Sequence, residues 1–304
     1  MKLLQTLLFI VLLAISSGAQ IKITSTEKIH IPAGEHWFQA VYSPTGKDIY
    51  LTNQGYNGIW KYSIQENSIT EITRDAGSGF NFVVSQDEKQ IAYRRTLQSS
   101  NSMQRTQEIV EKNLSTMEEK VITTGDDLQT PVFIKNTLSY TNLRTKKTIL
   151  PASAVSAIAV LGIEDQKIIL AKNGKKEIFD PLPNGRYIWP ALSPDQSKLV
   201  AVEMDRGAFI VSIDGKNIVR IRRCNAPIWS RSGNWVIGME DIDNGHTIIG
   251  SEIIAVSADG KTKLHLTETT DRMEMYPSCS PTENKILVTT SVGEVFMLTY
   301  EEGK

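Results

Sequence analysis

Residues 189–202 read WPALSPDQSKLVAV: an apolar run ending at Ser193, a polar turn, and a second apolar run beginning at Leu199. Proline at the second turn position fixes φ at about −65°, and Asp, Asn, Gly and Ser bond back to nearby backbone or tolerate unusual φ. The stretch therefore predicts two strands joined by a hairpin. The first core position of the second strand follows the serine by six residues, and the same interval returns in Ser43 with Ile49, Ser85 with Ile91, Ser230 with Val236 and Ser280 with Ile286. Their turns read SPTGKD, SQDEKQ, SRSGNW and SPTENK. Pro190, Pro227 and Pro277 each precede the serine by three residues. A residue without an N–H suits the start of a strand better than its middle.

Working outward, a third strand follows in each unit: GIWKYSI from Gly58, EIVEKNL from Glu108, GAFIVSI from Gly207, SEIIAVS from Ser251 and GEVFMLT from Gly293. Asp214-Gly215 and Asp259-Gly260 mark tight turns after two of them. A fourth strand (SITEIT, KVITT, NIVRIR, TKLHLT) alternates apolar with polar residues, as a half-exposed outer strand does. Between Thr130 and Pro183 the pattern is degraded. Residues 131–134 with 138–140 read as one short unit, and 158–162, 167–171 and 176–180 as another; residues 151–161 read as strand. Two short units make seven in total, the preferred count; one makes six.

A lone four-stranded sheet of this size cannot bury both faces, whereas copies stacked in a ring bury them against each other. The expected fold is an all-β propeller of four-stranded antiparallel blades, formed by residues 20–304 as a single domain. An open solenoid would show shorter, more uniform repeats. The last unit ends near Thr299 and Tyr300 after three strands, and residues 21–31, IKITSTEKIHI, are placed to supply the fourth and close the ring.

The N-terminus reads as an export signal. Lys2 precedes a short apolar region from Leu3 to Ile15, and Ser16-Ser17-Gly18-Ala19 supplies small residues for cleavage between Ala19 and Gln20. That region is shorter than the roughly 20 residues a membrane span requires, and no cysteine near the cut marks a lipoprotein. A periplasmic or secreted monomer is expected. With 33 basic and 34 acidic side chains there is no surplus charge for phosphate backbones, which argues against nucleic acid. The two cysteines, Cys224 and Cys279, could pair in an oxidising compartment, but Cys279 falls in an apolar strand where a buried thiol is common.

The strand-turn-strand unit of 189–202, with APIWSRSGNWVIGM from Ala226 and YPSCSPTENKILVT from Tyr276, resembles the repeat of TolB-like propellers and the WD-type repeats of bacterial exported proteins. That resemblance implies a propeller and, for TolB, a further α/β domain that has no counterpart in the repeat region here. Prolyl-oligopeptidase-type enzymes carry such a propeller beside a hydrolase domain, yet no GxSxG motif occurs. Some TolB-like propellers are pectate-fragment lyases with a histidine-rich metal site, so a carbohydrate-active enzyme or glycan binder stands as the alternative to a non-catalytic protein- or peptide-binding module of the cell envelope.

The residues offer little chemistry. His30, His36, His246 and His265 show no close ligand spacing, and no catalytic residue, cofactor or metal is assigned. Asp241-Ile242-Asp243-Asn244-Gly245 resembles the start of a calcium loop but lacks its later acidic positions, and an extended hairpin explains it better. A polar insertion, residues 97–107, reads as a hairpin extension. The mouth of the central channel is the expected binding place. Residues at the start of each innermost strand line it: His36, Trp37, Phe80, Asn81, Tyr187, Trp189, Asn225, Glu274 and Tyr276. Aromatic faces with polar tips suit a peptide or a sugar, although several of these rings have an alternative use in packing between blades.

Overall fold

A computed structural model describes residues 20–32, 36–97 and 106–303. The expected export signal and most of the insertion lie outside the described residues. Strand β1 (Ile21–Ile29) comes first. Blade 1 follows with β2 (Trp37–Tyr42), β3 (Asp48–Asn53), β4 (Ile59–Ser63) and β5 (Ser68–Thr73), then blade 2 with β6 (Val83–Val84), β7 (Gln90–Thr96), β8 (Gln107–Asn113) and β9 (Glu119–Gly125). Blades 3 and 4 have three strands each: β10 (Val132–Ile134), β11 (Thr137–Asn142) and β12 (Lys147–Ile149), then β13 (Ile158–Glu164), β14 (Lys167–Lys172) and β15 (Lys175–Phe179). Blade 5 is β16 (Tyr187–Leu192), β17 (Lys198–Glu203), β18 (Gly207–Ser212) and β19 (Val219–Arg222). Blade 6 is β20 (Asn225–Trp229), β21 (Trp235–Asp243), β22 (Ile248–Ser257) and β23 (Lys263–His265). Blade 7 holds β24 (Glu274–Cys279), β25 (Lys285–Thr290) and β26 (Val295–Glu302), and its fourth strand is β1, paired antiparallel to β26 from Ile21↔Glu302 to Ile29↔Val295.

The chain is thus a seven-bladed propeller closed by strand β1, with five four-stranded antiparallel sheets and two of three strands among the described residues. Blade 7 meets blade 1 directly. Thr289 Oγ1 donates to the Phe38 carbonyl at 2.9 Å, and the Tyr42 amide donates to Ser278 Oγ at 3.1 Å.

The repeated serine has a physical task. In all five copies its amide donates at 2.9 Å to the carbonyl five residues on, closing a wide turn. The serine is buried, and its hydroxyl accepts the turn's own amides: Asp48 on Ser43 at 3.2 Å, Gln90 on Ser85 at 2.9 Å, Lys198 on Ser193 at 2.9 Å and Trp235 on Ser230 at 3.2 Å. Ser280 Oγ instead takes the amides of Thr282 and Glu283. A buried amide left without a partner would cost about 1–3 kcal/mol, so a small hydroxyl belongs there.

The core lies between blades rather than inside them. Successive side chains on a strand point to opposite faces, and here both faces are covered. In β17, Leu199 and Ala201 join a cluster with Tyr187 of their own blade and Ile168 and Leu170 of blade 4, while Val200 and Val202 pack against Trp229, Val236 and Ile254 of blade 6. Continuous apolar runs such as LVAV (199–202) and ILV (286–288) follow from that double burial.

Antiparallel pairing puts the serine turns on one face of the ring, while the second-to-third-strand turns and the passages between four-stranded blades lie on the other, the mouth face. Three strands leave the chain on the serine face after β12. There the stretch expected as strand forms a 3-10 turn, Ala152–Ser156, with Ala154 fully buried. Ser153 Oγ donates to the Ile134 carbonyl at 3.0 Å and Lys135 Nζ to Ser156 Oγ at 2.7 Å. Strand β13 then runs opposite in sense to β10 and reaches the mouth face, where the Ile163 carbonyl accepts from Gln129 Nε2 at 3.0 Å. A second three-stranded blade restores the sense, and the Tyr187 amide, opening blade 5, donates to the Gln166 carbonyl at 2.9 Å.

Candidate functional site

Four aromatic rings form a run across the mouth face from blade 7 to blade 2. Tyr276 in β24 lies 5.0 Å from Phe38 in β2, Phe38 lies 5.3 Å from Tyr56 at an interplanar angle of 83°, and Tyr56 lies 5.2 Å from Phe80 at 89°. Edge-to-face pairs at such distances match the positive edge of one ring to the negative face of the next. The Arg94 guanidinium of β7 sits 5.8 Å from the Phe80 ring centre at the end of the run. Phe38, Tyr56 and Tyr276 are half-buried and Phe80 is 39% exposed, so the run is supported from below and open above. Burial raises the pKa of both Tyr56 and Tyr276, with Tyr276 adding to the rise of Tyr56 and Asp241 to that of Tyr276, so both hydroxyls are neutral donors at neutral pH.

The loop that positions Tyr56 is held by Asn53, whose Oδ1 accepts the amides of Gly55 at 3.3 Å and Asn57 at 2.9 Å. Tyr56 itself has φ of 54°, and its carbonyl accepts the Gly79 amide at 2.9 Å. Any Cβ on Gly79 would stand 1.8 Å from Thr52 Oγ1, so only glycine allows the blade 1 loop and the approach to blade 2 to lie this close.

The innermost strands share a bulge near this face. Asn81, Trp189, Ala226 and Tyr276, each four residues before its serine, all have positive φ, at 51°, 52°, 44° and 50°. The pairing register slips beside the last three. Proline disfavours the α region in the residue before it, and bulky side chains rarely take positive φ, so Trp189 and Tyr276 are held against local preference. Bulges of this kind re-aim side chains. Trp189 is left 43% exposed.

The nine residues expected at the mouth divide. Phe80, Asn81, Trp189, Asn225 and Tyr276 stand there, and His36 is exposed with Nδ1 3.1 Å from the Val292 carbonyl. Trp37, Tyr187 and Glu274 are turned inward. Trp37 packs edge-on against Trp60 with ring centres 5.3 Å apart; the Tyr187 hydroxyl donates to Asp180 Oδ1 at 2.7 Å and accepts the Leu182 amide at 3.0 Å; Glu274 is clamped by Arg272 Nε at 2.8 Å and by Thr269 Oγ1. All three sit beside the inner-strand start, where alternation sends every second side chain into the interblade core. Phe38, Tyr56 and Arg94 were not singled out from the sequence. Phe38 adjoins Trp37 on the same strand, so strand alternation signalled it, whereas Tyr56 and Arg94 come from loop and strand positions with no motif.

Between blades 5 and 6 the same face opens into a cavity of about 560 Å³ lined by Asp205, Arg206, Arg223, Asn225, Glu240 and Asp241 among others. Asp241 is held by Asn225 Nδ2 and Ser251 Oγ, both at 2.8 Å. The run from Asp241 to Gly245 is a hairpin extension, its tip closed by Asn244 Oδ1 accepting the His246 and Thr247 amides. Among the described residues, no group of three or more His, Cys, Asp or Glu is arranged to hold a metal ion. The four histidines belong to separate places: His30 after the closing strand, His36 beside Val292, His246 at the hairpin tip and His265 on an outer strand 3.5 Å from Glu240. They do not form the histidine-rich site that a lyase resemblance implies. Cys224 and Cys279 are free thiols.

No family model matches this chain, and neither does any curated protein. Solved structures do. It is similar to TolB from Acinetobacter baumannii, with a TM-score of 0.56 and 17% identity over 82% of this chain and 58% of that one. It is also similar to an oligogalacturonate lyase from Vibrio parahaemolyticus (TM-score 0.52, 12% identity, 88% of this chain and 79% of that one). An oligogalacturonate lyase in complex with manganese gives a TM-score of 0.53 at 13% identity over 89% and 79%. At these identities the likeness establishes the fold, a TolB-like β-propeller, and leaves the chemistry to the residues themselves.

Proposed function

We infer that this chain is an exported, non-catalytic propeller, periplasmic or secreted and monomeric, whose mouth face binds a protein partner and takes a peptide segment of it across the aromatic run. The observation that carries this reading is the unbroken series Tyr276, Phe38, Tyr56 and Phe80, open to solvent on one side and backed by the interblade core. Rigid aromatic rings give large contact area at little entropic cost, and such residues dominate binding energy where they cluster. The same face carries exposed apolar side chains well beyond the run: Trp189, Ile242 at 56% exposure, Ile249 at 54% and Val292 at 59%. A surface that broad suits a protein better than a small ligand.

The test is selection from a phage-displayed random peptide library on the intact protein, repeated on a Tyr56→Ala, Phe80→Ala double variant. Enrichment of an aromatic-containing motif that the variant fails to retain is expected. No enrichment on the unaltered protein, together with binding of trigalacturonate in a direct titration, would replace the peptide reading with an acidic-glycan one, which the likeness to oligogalacturonate lyases favours.

A further inference from the structure

Arg94 and Arg95 are sequence neighbours with opposite surroundings. Arg95 is enclosed by Asp75 at 3.0 Å, Glu108 at 2.8 Å and Glu119 at 2.6 Å. Alternation along β7 turns Arg94 the other way, toward the seam with blade 3. That seam is tied by hydrogen bonds: Arg94 Nη1 donates to the Leu128 carbonyl at 2.7 Å, and the Leu128 amide donates to Gln107 Oε1 at 3.0 Å. Among the described residues Arg94 forms no ion pair and the Leu128 carbonyl is its one hydrogen-bond acceptor; burial lowers its pKa, and the nearby Asp127 opposes that shift only in part. A guanidinium has five N–H donors. Here a half-buried cation retains most of them, beside an exposed aromatic ring, at the end of a row of aromatics.

We propose that Arg94 is the anion-reading subsite of the mouth face and anchors a carboxylate of the bound segment next to an aromatic side chain seated on Phe80. This rests on the peptide-binding reading above and names the chemistry of the ligand. The Phe80 ring shields one side of the guanidinium and the Leu128 carbonyl fixes its orientation, which leaves donor edges for a paired contact with a carboxylate. Partial burial strengthens such a contact, since a desolvated cation with no directly paired carboxylate gains more from an anion than a solvated one does. The carboxylate has two sources in a protein, an acidic side chain or the free C-terminus.

Three N-acetylated hexapeptide probes of one aromatic core separate these sources: one amidated with an internal aspartate after phenylalanine, one neutral with a free C-terminal carboxylate on phenylalanine, and one neutral and amidated. Each is titrated by NMR against the intact protein, Arg94→Gln and Arg94→Lys, with melting curves confirming that the variants fold. Expected is about tenfold tighter binding of a carboxylate-bearing probe than of the neutral one, abolished in Arg94→Gln with the neutral probe unaffected, and partly kept in Arg94→Lys. Whichever acidic probe binds more tightly identifies the source. Equal binding of all three probes, or an acidic preference that survives in Arg94→Gln, overturns the assignment while leaving peptide binding intact. Binding of none of the three overturns both.

Discussion

Blades 4 and 5 share a buried interface yet are built differently. Blade 5 has four strands and the wide serine turn at Ser193. Blade 4 has three strands, and its first two are joined by Asp165 and Gln166 alone, with φ of 48° and 65° and Glu164 paired to Lys167. Positive φ at both central positions is the geometry of a type I′ hairpin, whose twist matches that of the strands. Blade 3 does the same with Lys135 and Asn136. The difference teaches that the ring depends on covered blade faces and not on the serine motif. Ile168 and Leu170 of the thin blade are as deeply buried as Leu199 and Ala201 of the thick one.

The sharpest way to break this comparison is to thin a third blade. Deleting residues 20–32 removes β1 from blade 7, and with it Ile21 from the core and the noncovalent closure of the ring. Unlike any strand of blades 3 and 4, β1 is held to its own blade by pairing alone while the chain runs on from it into blade 1, so calorimetry is expected to show a fall in Tm of about 10 °C or more, or loss of a cooperative transition. An unchanged Tm would mean that three strands suffice at the seam as well. A middling effect is expected from paired core deletions. Leu170→Ala and Leu199→Ala should each cost about 2–5 kcal/mol in urea unfolding, because both vacate the same packed interface. A cost under about 1 kcal/mol for Leu170→Ala alone would show the thin blade to be slack. The smallest effects lie in the turns and have opposite signs. Ser193→Ala strands the Lys198 amide and should destabilise by about 1 kcal/mol. Gln166→Gly relieves a left-handed residue and should stabilise by about 0.5 kcal/mol in the same assay, the entropic penalty of glycine offsetting part of the gain.

The same contrast explains what the sequence made legible. Wherever a buried hydroxyl closes a turn, the six-residue interval locates both strands, and the five thick blades follow from it, as does the closing strand from the incomplete last unit. In blades 3 and 4 that interval does not exist, because a two-residue turn needs only backbone that tolerates positive φ, and Lys-Asn or Asp-Gln does not advertise it as Asn-Gly would. Residues 151–157 depart from the expected strand for a related reason, while 158–161 lie in β13. Ala, Val and Ser of 151–157 pass beneath two hairpins, with Ser153 donating to the Ile134 carbonyl and the Ala154 carbonyl accepting the Gly174 amide. At the mouth, Trp37, Tyr187, Asn225 and Glu274 open β2, β16, β20 and β24, but a one-residue step decides whether a ring faces the channel or the core. Phe38 faces one way and Trp37 the other. Arg94 carries no local signal, since its distinctness is that no carboxylate among the described residues pairs with it directly.

The two short blades are adjacent, and their adjacency has a consequence for how such rings tolerate change. Each omission of a strand flips the side from which the polypeptide exits, so an unpaired omission would deliver every later blade upside down. Strand count is therefore conserved modulo two along the path. Replacing blade 4 alone with a copy of blade 5 would misroute the remaining three, whereas exchanging blades 3 and 4 together for two complete units would leave the downstream half in register.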